Sequence, residues 1–367
     1  MSGTSVDAID AALVRFSDKG VELLHTHQHA IPPQTRQQIS AISHSGDDEI
    51  ERLGVLDREL GLLFGAATRQ LLASAGQESR AITAIGSHGQ TIRHRPPSGA
   101  AGSAQSFTLQ IGDPNTIAEC TGIATVADFR RRDIAAGGEG APLAPAFHAA
   151  AFGKAGVNRA IVNIGGIANV SLLEGPDLRQ GFDSGPGNTL LDHWILRHQG
   201  ETFDRDGKWS ASGQYHQGLL AKLLTHPYFA KAGPRSTGKE AFNLQWLETQ
   251  LGSVEMEIAA EDIQATLVEL TCTSISQAIQ SSPIDIEEVY ICGGGAHNLQ
   301  IMSRLGDQLS PRVLASTSRV GMDPDWVEAV TFAWLAEQCL NGLAGNEPAV
   351  TGAVGARVLG GIYPGGG

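Results

Sequence analysis

Gly3-Thr4-Ser5-Val6-Asp7-Ala8-Ile9-Asp10 carries a glycine turn directly into an apolar strand, Asp10-Ala-Ala-Leu-Val-Arg-Phe16. The order decides the fold. A P-loop leads from a strand through glycines into a helix. Here the glycines lead into a strand, which Val21-Glu-Leu-Leu24 follows as the second arm of a hairpin. The second half echoes this: Gly165-Gly166 turns the buried strand Arg159-Ala-Ile-Val-Asn-Ile164 back through Val170-Ser-Leu-Leu173. Each turn has an Asp or Asn just downstream, Asp7 and Asn169. Two such hairpins, one per half, would face each other across a cleft and suit a nucleotide gripped between similar domains. Shared strand–turn–strand composition could also produce the echo by chance.

The rest of the chain alternates strand and helix. Helices are read over 34–43 and 47–74, the second with Ile50, Leu53, Leu60, Leu63, Phe64, Ala67 and Leu71 at helical spacing. Ala81-Ile-Thr-Ala-Ile85, Phe107-Thr-Leu-Gln-Ile111, Ile123-Ala-Thr-Val126 and Val289-Tyr-Ile291 read as strands, and Asp113-Pro114 as a helix start. Residues 262–281 form a helix, and Asp323-Pro-Asp325 caps a last one bearing Glu328 and Phe332. The class is α/β. The glycine-rich stretch 135–142 is expected at an interdomain crossing. It divides a domain over 1–130, with a C-terminal return through 350–367, from one over 131–349.

The 367 residues carry a net charge of −13, which argues against nucleic-acid binding. Nucleotide binding stays open, because glycine-loop amides, helix N-termini and Mg²⁺ supply local positive potential. No apolar run approaches the roughly 20 residues of a membrane span. No export signal is recognisable, and Cys120, Cys272, Cys292 and Cys339 are scattered without a C-x-x-C pair, as in a reduced cytoplasmic protein.

Gly181-Phe182-Asp183-Ser184-Gly185-Pro186-Gly187-Asn188 holds one carboxylate among glycines. Such a loop can cradle phosphate oxygens while the Asp activates a nucleophile or binds a metal. The bland alternative is a tight turn with a solvated Asp. Gly86-Ser-His88-Gly-Gln90-Thr91 places polyol-binding groups at a strand end, where α/β sheets line their crevices, and it competes with a buried, satisfied His. Arg130-Arg131-Arg132 suits a single carboxylate or phosphate, or a solvated salt-bridging patch. Cys292-Gly293-Gly294-Gly295 lacks dinucleotide spacing. Gly233-Pro-Arg-Ser-Thr-Gly238-Lys239 fits G-x-x-x-x-G-K, but Glu240 stands where Mg²⁺ needs Ser or Thr, so it reads as a surface loop with mobile basic residues. No direct metal cage is visible; a Mg²⁺ held through water and phosphates, near Asp7, would need none.

Taken in order, the Met-Ser-Gly-Thr-Ser opening, Ile85-Gly-Ser-His-Gly-Gln-Thr91, Ala127-Asp-Phe-Arg-Arg-Arg-Asp133, Asn163-Ile-Gly-Gly166, the 181–188 loop and Cys292-Gly-Gly-Gly-Ala296 resemble the anhydro-N-acetylmuramic acid kinases over essentially the whole chain. That family is similar in fold to actin, the heat-shock chaperones and sugar kinases. The resemblance implies two ribonuclease-H-like domains flanking an active-site cleft, with ATP and Mg²⁺ as cofactors. It implies opening of the 1,6-anhydro bond by water and phosphorylation of O6, giving N-acetylmuramic acid 6-phosphate in cell-wall recycling. Gly3, Thr4, Ser5, Val6, Asp7, Ala8, Ile9 and Asp10 would hold ATP phosphates. Gly165, Gly166, Gly185, Gly187 and Asn188 would form the facing phosphate loop, and Gly293, Gly294 and Gly295 would lie near the nucleoside. His88, Gln90, Thr91, Arg130 and Glu328 would bind the sugar, Arg130 taking the lactyl carboxylate. Asp183 would take the proton of the attacking water. Partners are then ATP and an amino sugar, with a homodimer allowed and no nucleic acid or membrane.

Two departures stand out. The family carries apolar residues ahead of Met-Ser-Gly-Thr-Ser as a strand that delivers the loop, whereas Met1 opens the motif here, which puts the anchoring of residues 3–10 in question. Ala8 stands where the family commonly has Gly; a positive φ there would cost on the order of 1 kcal/mol. An ATP-hydrolysing switch and an inactive carbohydrate-binding relative are the competing readings.

Overall fold

A computed structural model describes residues 1–3, 6–18, 20–98, 105–230, 241–252 and 257–366. Two compact units emerge, Met1–Phe147 with Glu328–Gly367, and His148–Val327.

In the first unit, β1 (Ala8–Ser17) and β2 (Gly20–Ala30) form the expected antiparallel hairpin. Helix α1 (Pro33–Ile42) starts on a proline, whose fixed φ suits a first turn. The long α2 (Glu49–Ser74) buries Leu56, Leu60, Phe64, Ala67 and Leu71 along one stripe. The first four pack with Ile9, Ile39, Ile92, Ile111 and Ile117. Strand β3 (Ile85–Ser87) begins where the sequence reading ends its strand: residues 81–84 make no ladder, and Ser79–Ala81 is a helical turn. The β4 (Gln90–Arg95) and β5 (Phe107–Ile111) hairpin leads to α3 (Pro114–Thr121). The Asp113 carboxylate caps α3 by accepting from the amides of Asn115 and Thr116. Strand β6 (Thr125–Ala127) runs parallel to β3, and the short α4 (Arg131–Ala135) follows.

The glycine-rich stretch 135–142 belongs inside this unit and does not cross between units. Fully buried Asp133 draws it in: its carboxylate accepts from the Gly140 amide at 2.8 Å, Asn346 Nδ2 at 2.6 Å and the Thr351 hydroxyl at 2.7 Å. One carboxylate thereby joins the glycine hook to the C-terminal return.

Helix α5 (Ala144–Phe152) precedes a five-stranded sheet in the second unit, built from β7 (Asn158–Ile164), β8 (Ile167–Glu174), β9 (Asp177–Pro186), β10 (Glu288–Cys292) and β11 (Val313–Ser316). The spatial order is β11-β10-β7-β8-β9, with the first pairs parallel and β7–β8–β9 an antiparallel meander. Alternate residues Ala160, Val162, Ile164, Val170 and Leu172 are fully buried. They pack against apolar faces of α6 (Thr189–Gln199), α7 (Gln217–Leu223), α8 (Leu244–Leu251), α9 (Ala260–Gln280) and α10 (Leu299–Leu309). The chain returns to the first unit through α11 (Val327–Leu340), α12 (Pro348–Thr351) and β12 (Gly361–Tyr363), which pairs with β6. Among the described residues, no helix is long and apolar enough to cross a membrane.

Candidate active site

In the second unit three glycine loops meet at the C-terminal end of β7. The amides of Gly187 and Asn188 donate to the carbonyls of Gly166 (2.9 Å) and Gly165 (2.8 Å), and Asn188 Nδ2 donates to the Ile164 carbonyl at 3.2 Å. Gly187 must be glycine: a Cβ there would overlap the Gly165 carbonyl oxygen. Gly293 takes φ +75, and a Cβ on it would overlap Asn163 Oδ1; one on Gly295 would enter Ile164. The backbone at Gly165 and Gly294 is uncrowded instead: a Cβ there would make only ordinary contacts, with nearest atoms 3.7 and 3.6 Å away. Gly165, Gly166, Gly187, Asn188, Gly293, Gly294 and Gly295 are thus brought together. The hydroxyl of Thr189, 3% exposed on the first turn of α6, has no hydrogen-bond partner among the described residues. Uncrowded backbone and a buried donor beside a helix N-terminus fit an oxyanion such as a phosphate.

Asp183 sits on β9 just before this corner. Ala168 pairs with Gly185 and Asn169 with Asp183, so Ser184 is an extra residue, a bulge that re-aims the neighbouring Asp183. Its backbone is held from the α7 side, where the buried Tyr228 hydroxyl donates to the Asp183 carbonyl at 2.6 Å. The Thr271 hydroxyl of α9 donates to the carbonyls of Pro186 (3.1 Å) and Gly187 (3.0 Å). Gly185 makes the approach possible, since a Cβ there would stand 2.9 Å from Phe229 and 3.1 Å from Ser274 Oγ. Tyr228 and Thr271 were invisible to motif reading; a tyrosine in the turns after α7 and a threonine on α9 carry no local signal. Tyr228→Phe is expected to lower turnover several-fold, through loss of one hydrogen bond of about 1 kcal/mol, while both substrate KM values hold. Steady-state kinetics on the variant checks this.

The first unit gathers the polyol-type residues. His88, 7% exposed, follows β3, with Phe332 of α11 against its ring at a centroid distance of 4.4 Å. Arg130 Nε donates to His88 Nε2 at 3.0 Å, which leaves His88 Nδ1 to donate to the Gly89 carbonyl at 3.0 Å. Burial, the Arg130 guanidinium and the Met1 ammonium all push the His88 pKa well below 6.5, so the ring is neutral. Arg130 also donates through Nη1 to the Gly140 carbonyl at 2.8 Å, the carbonyl of the hook that Asp133 anchors. Burial lowers the Arg130 pKa, while Glu328 and Asp133 oppose that. Enclosing protein raises the Glu328 pKa, with Arg130 and the Met1 ammonium pulling it down and Asp10 pushing it up. Glu328 is exposed, and the Arg130 charge acts on it at a distance by favouring its ionised form. Gln90 is 2% exposed; its Nε2 donates to the Thr91 carbonyl, while its Oε1 has no partner among the described residues. Thr91 Oγ1 accepts from Gln110 Nε2 at 3.1 Å. His88, Arg130 and Glu328 therefore form one electrostatic group, with Gln90 and Thr91 on the strand leading away from it.

At the N-terminal turn Thr4 and Ser5 lie outside the described residues, as does the 233–239 loop. Gly3 accepts at its carbonyl from the Val6 amide (3.3 Å), and Asp7 Oδ1 caps the Ala8 amide at 3.1 Å. Strain falls on a different residue from the one expected. Ala8 begins β1 and is absent from the left-handed region, while Val6 has φ +57, an unfavourable conformation for a β-branched residue. Ile9 is buried and Asp10 pairs with Met1. No cluster of metal-ligating side chains occurs among the described residues.

The family model of the anhydro-N-acetylmuramic acid kinases matches residues 1–365. The chain is 51% identical over 364 residues to the anhydro-N-acetylmuramic acid kinase of Pseudomonas putida, covering 99% of this chain and 98% of that one. It is 49% identical over 366 residues to the Shewanella loihica protein of the same name, covering 100% and 97%. Component A of (R)-2-hydroxyglutaryl-CoA dehydratase from Acidaminococcus fermentans aligns over 88% of this chain and 91% of its own, at 11% identity and a TM-score of 0.43.

Proposed function

The chain belongs to the anhydro-N-acetylmuramic acid kinase family and is a kinase, and from that premise we propose how its own residues divide the reaction. The observation that carries the reading is the convergence of the 165–166, 187–188 and 293–295 backbones at one strand end with Asp183 on the adjoining bulge. Amides and the α6 N-terminus would receive ATP phosphates there. Asp183 would stand one turn away, as a base for water.

The substrate is 1,6-anhydro-N-acetylmuramic acid. Water adds its oxygen to C1 and gives its proton to Asp183. The C1–O6 bond breaks, O6 bonds the γ-phosphorus, and the bond from that phosphorus to the bridging oxygen of ADP breaks. Glycoside hydrolysis ordinarily needs an acid for the leaving oxygen and a base for water. Here the phosphoryl group captures the leaving oxygen, so a single carboxylate suffices. Mg²⁺, bound through phosphates and water near Asp7, would neutralise phosphate charge. In the first unit Arg130 would take the lactyl carboxylate, while neutral His88, Gln90, Thr91 and Glu328 hold hydroxyl and amide groups of the sugar. A cytoplasmic enzyme fits the use of ATP and four cysteines that are all free.

ADP release is expected only when anhydro-N-acetylmuramic acid is present, and in ¹⁸O-water the label should enter the product at C1. Sugar-independent ATP hydrolysis would favour a switch protein instead, and label in the phosphate would contradict attack at the anomeric carbon.

A further inference from the structure

One face of the β4–β5 hairpin is polar, although both strands contribute to an apolar core. Thr91 lies opposite Gln110, and His94 lies opposite Thr108. Residues 91 and 94 are three apart, so strict alternation would put them on opposite faces. The register shift between Thr91 and Arg93 inserts one extra residue, and both side chains stay on one face. On β5, Thr108 and Gln110 share that face by alternation, while Leu109 and Ile111 pack with Ile92 in the core. The Arg130 guanidinium acts electrostatically on His94, so the polar face lies on the Arg130 side of the hairpin.

The hydrogens of this face can be placed one by one. Gln110 Nε2 donates to Thr108 Oγ1 at 2.7 Å and to Thr91 Oγ1 at 3.1 Å, which uses both hydrogens of the amide nitrogen. Thr108 is 3% exposed, so its own hydroxyl hydrogen needs an acceptor. Nδ1 of His94, 3.0 Å away, supplies one. Burial and the Arg130 charge lower the His94 pKa to about 4, which keeps that ring neutral. Thr91 ends the ladder. Its oxygen already takes a Gln110 hydrogen, and its own hydrogen meets no acceptor among the described residues. A hydroxyl that accepts on the protein side is left to donate on the other.

We propose that Gln110 is a positioning residue that fixes Thr91 as a hydrogen-bond donor, so that the site selects an acceptor-only oxygen on the sugar, the carbonyl of its N-acyl group. This rests on the reading of Thr91 and Arg130 as sugar-binding residues. A threonine hydroxyl left to itself turns to suit donors and acceptors alike. Gln110 removes that freedom, because turning the Thr91 hydrogen inward would set it against an amide hydrogen. Two oxygens of the sugar are strong acceptors that cannot donate: the lactyl carboxylate and the acyl carbonyl. The carboxylate goes to Arg130 on that reading, which leaves the carbonyl for Thr91. A free amine at the same carbon, protonated at neutral pH, carries only donors and would meet a second donor. The ladder therefore makes N-acylation a condition for tight binding, and Gln110 acts through Thr91 without touching the substrate.

The test compares kcat/KM for anhydro-N-acetylmuramic acid and for its de-N-acetylated form in the parent, Gln110→Glu, Gln110→Leu, Thr91→Val and the double variant Thr91→Val/Gln110→Glu. A carboxylate at 110 accepts where the amide donated, so Thr91 turns its hydrogen inward and presents a lone pair. Gln110→Glu should raise the KM for the N-acetyl sugar roughly 10-fold and lower the preference for it over the amine roughly 100-fold, with the KM for ATP unchanged. Gln110→Leu frees the hydroxyl to turn and should lower the preference by less. Adding Gln110→Glu to Thr91→Val should leave the preference where Thr91→Val alone sets it. A parent-like preference in Gln110→Glu, beside a lowered one in Thr91→Val, would remove Gln110 and leave the sugar-binding reading standing. An equal fall with and without the Thr91 hydroxyl would also overturn the inference, since the new charge alone would then be acting on the ammonium. A lowered Tm with both sugars weakened alike would reduce Gln110 to a structural role. Absence of sugar-dependent ADP release in the parent would sink the sugar-binding reading, and the role of Gln110 with it.

Discussion

Asp183→Asn is expected to cut turnover roughly 10²–10⁴-fold, the usual contribution of a positioned general base, while nucleotide and sugar still bind. The change is nearly isosteric, and the contacts that set the backbone survive it: the Tyr228 hydroxyl donates to the Asp183 carbonyl, and the Ser184 hydroxyl donates to the Ala168 carbonyl at 3.2 Å across the bulge. The carboxylate's negative charge and its ability to accept a proton from water are removed. Single-turnover ADP release measures the loss, and equilibrium titration of ATP and of the sugar separately measures binding. The same two measurements discriminate between roles. Were Asp183 chiefly a ligand to Mg²⁺, ATP affinity would fall in a Mg²⁺-dependent way along with turnover. Turnover within a few-fold of the parent would sink the base assignment.

The site loops were legible in sequence because each is a local event. Gly187 and Gly293 stand where backbone meets backbone, since a Cβ on either would come within 3 Å of a carbonyl oxygen, and Gly185 stands where side chains of Phe229 and Ser274 approach, at 2.9 and 3.1 Å. Alternating apolar residues placed β7, β8 and β10 for the same reason. The failures are all long-range. Asp133 reads locally as one more charge beside three arginines. Its bonds to Asn346 and Thr351 span more than two hundred residues, and they make the 135–142 stretch interior to a unit, not a boundary. Tyr228 reaches Asp183 across 45 residues. Residues 81–85 have strand composition, yet Ser79–Ala81 closes as a helical turn and pairing begins only at Ile85, opposite Thr125. Strain at Val6, not Ala8, depends on where the hydrogen-bonded turn closes, which composition does not reveal.

Arg130→Gln is expected to raise the KM for the anhydro-sugar by about 100-fold, with a smaller change in kcat and none in the KM for ATP. A charge-assisted hydrogen bond contributes about 1.5–3 kcal/mol, and each 1.4 kcal/mol is tenfold in affinity. Arg130 meets protein through Nε, to His88, and through Nη1, to Gly140. These bonds fix the plane of the guanidinium, so its charge is presented without further ordering. Arg130→Lys should recover only part of the loss, since a single ammonium cannot span both acceptors and still present a planar fork to a carboxylate. The electrostatics add a second readout. Arg130 is the first of the charges that pull the Glu328 pKa down against the enclosure that raises it. Without the guanidinium that pKa rises further, so Glu328 becomes protonated at a higher pH than in the parent. The acid limb of kcat/KM for the sugar should therefore move to higher pH in Arg130→Gln and stay near the parent in Arg130→Lys. A merely structural defect would lower Tm and weaken ATP as well, and would leave the acid limb where it was. An unchanged sugar KM in the glutamine variant would remove Arg130 from the carboxylate site.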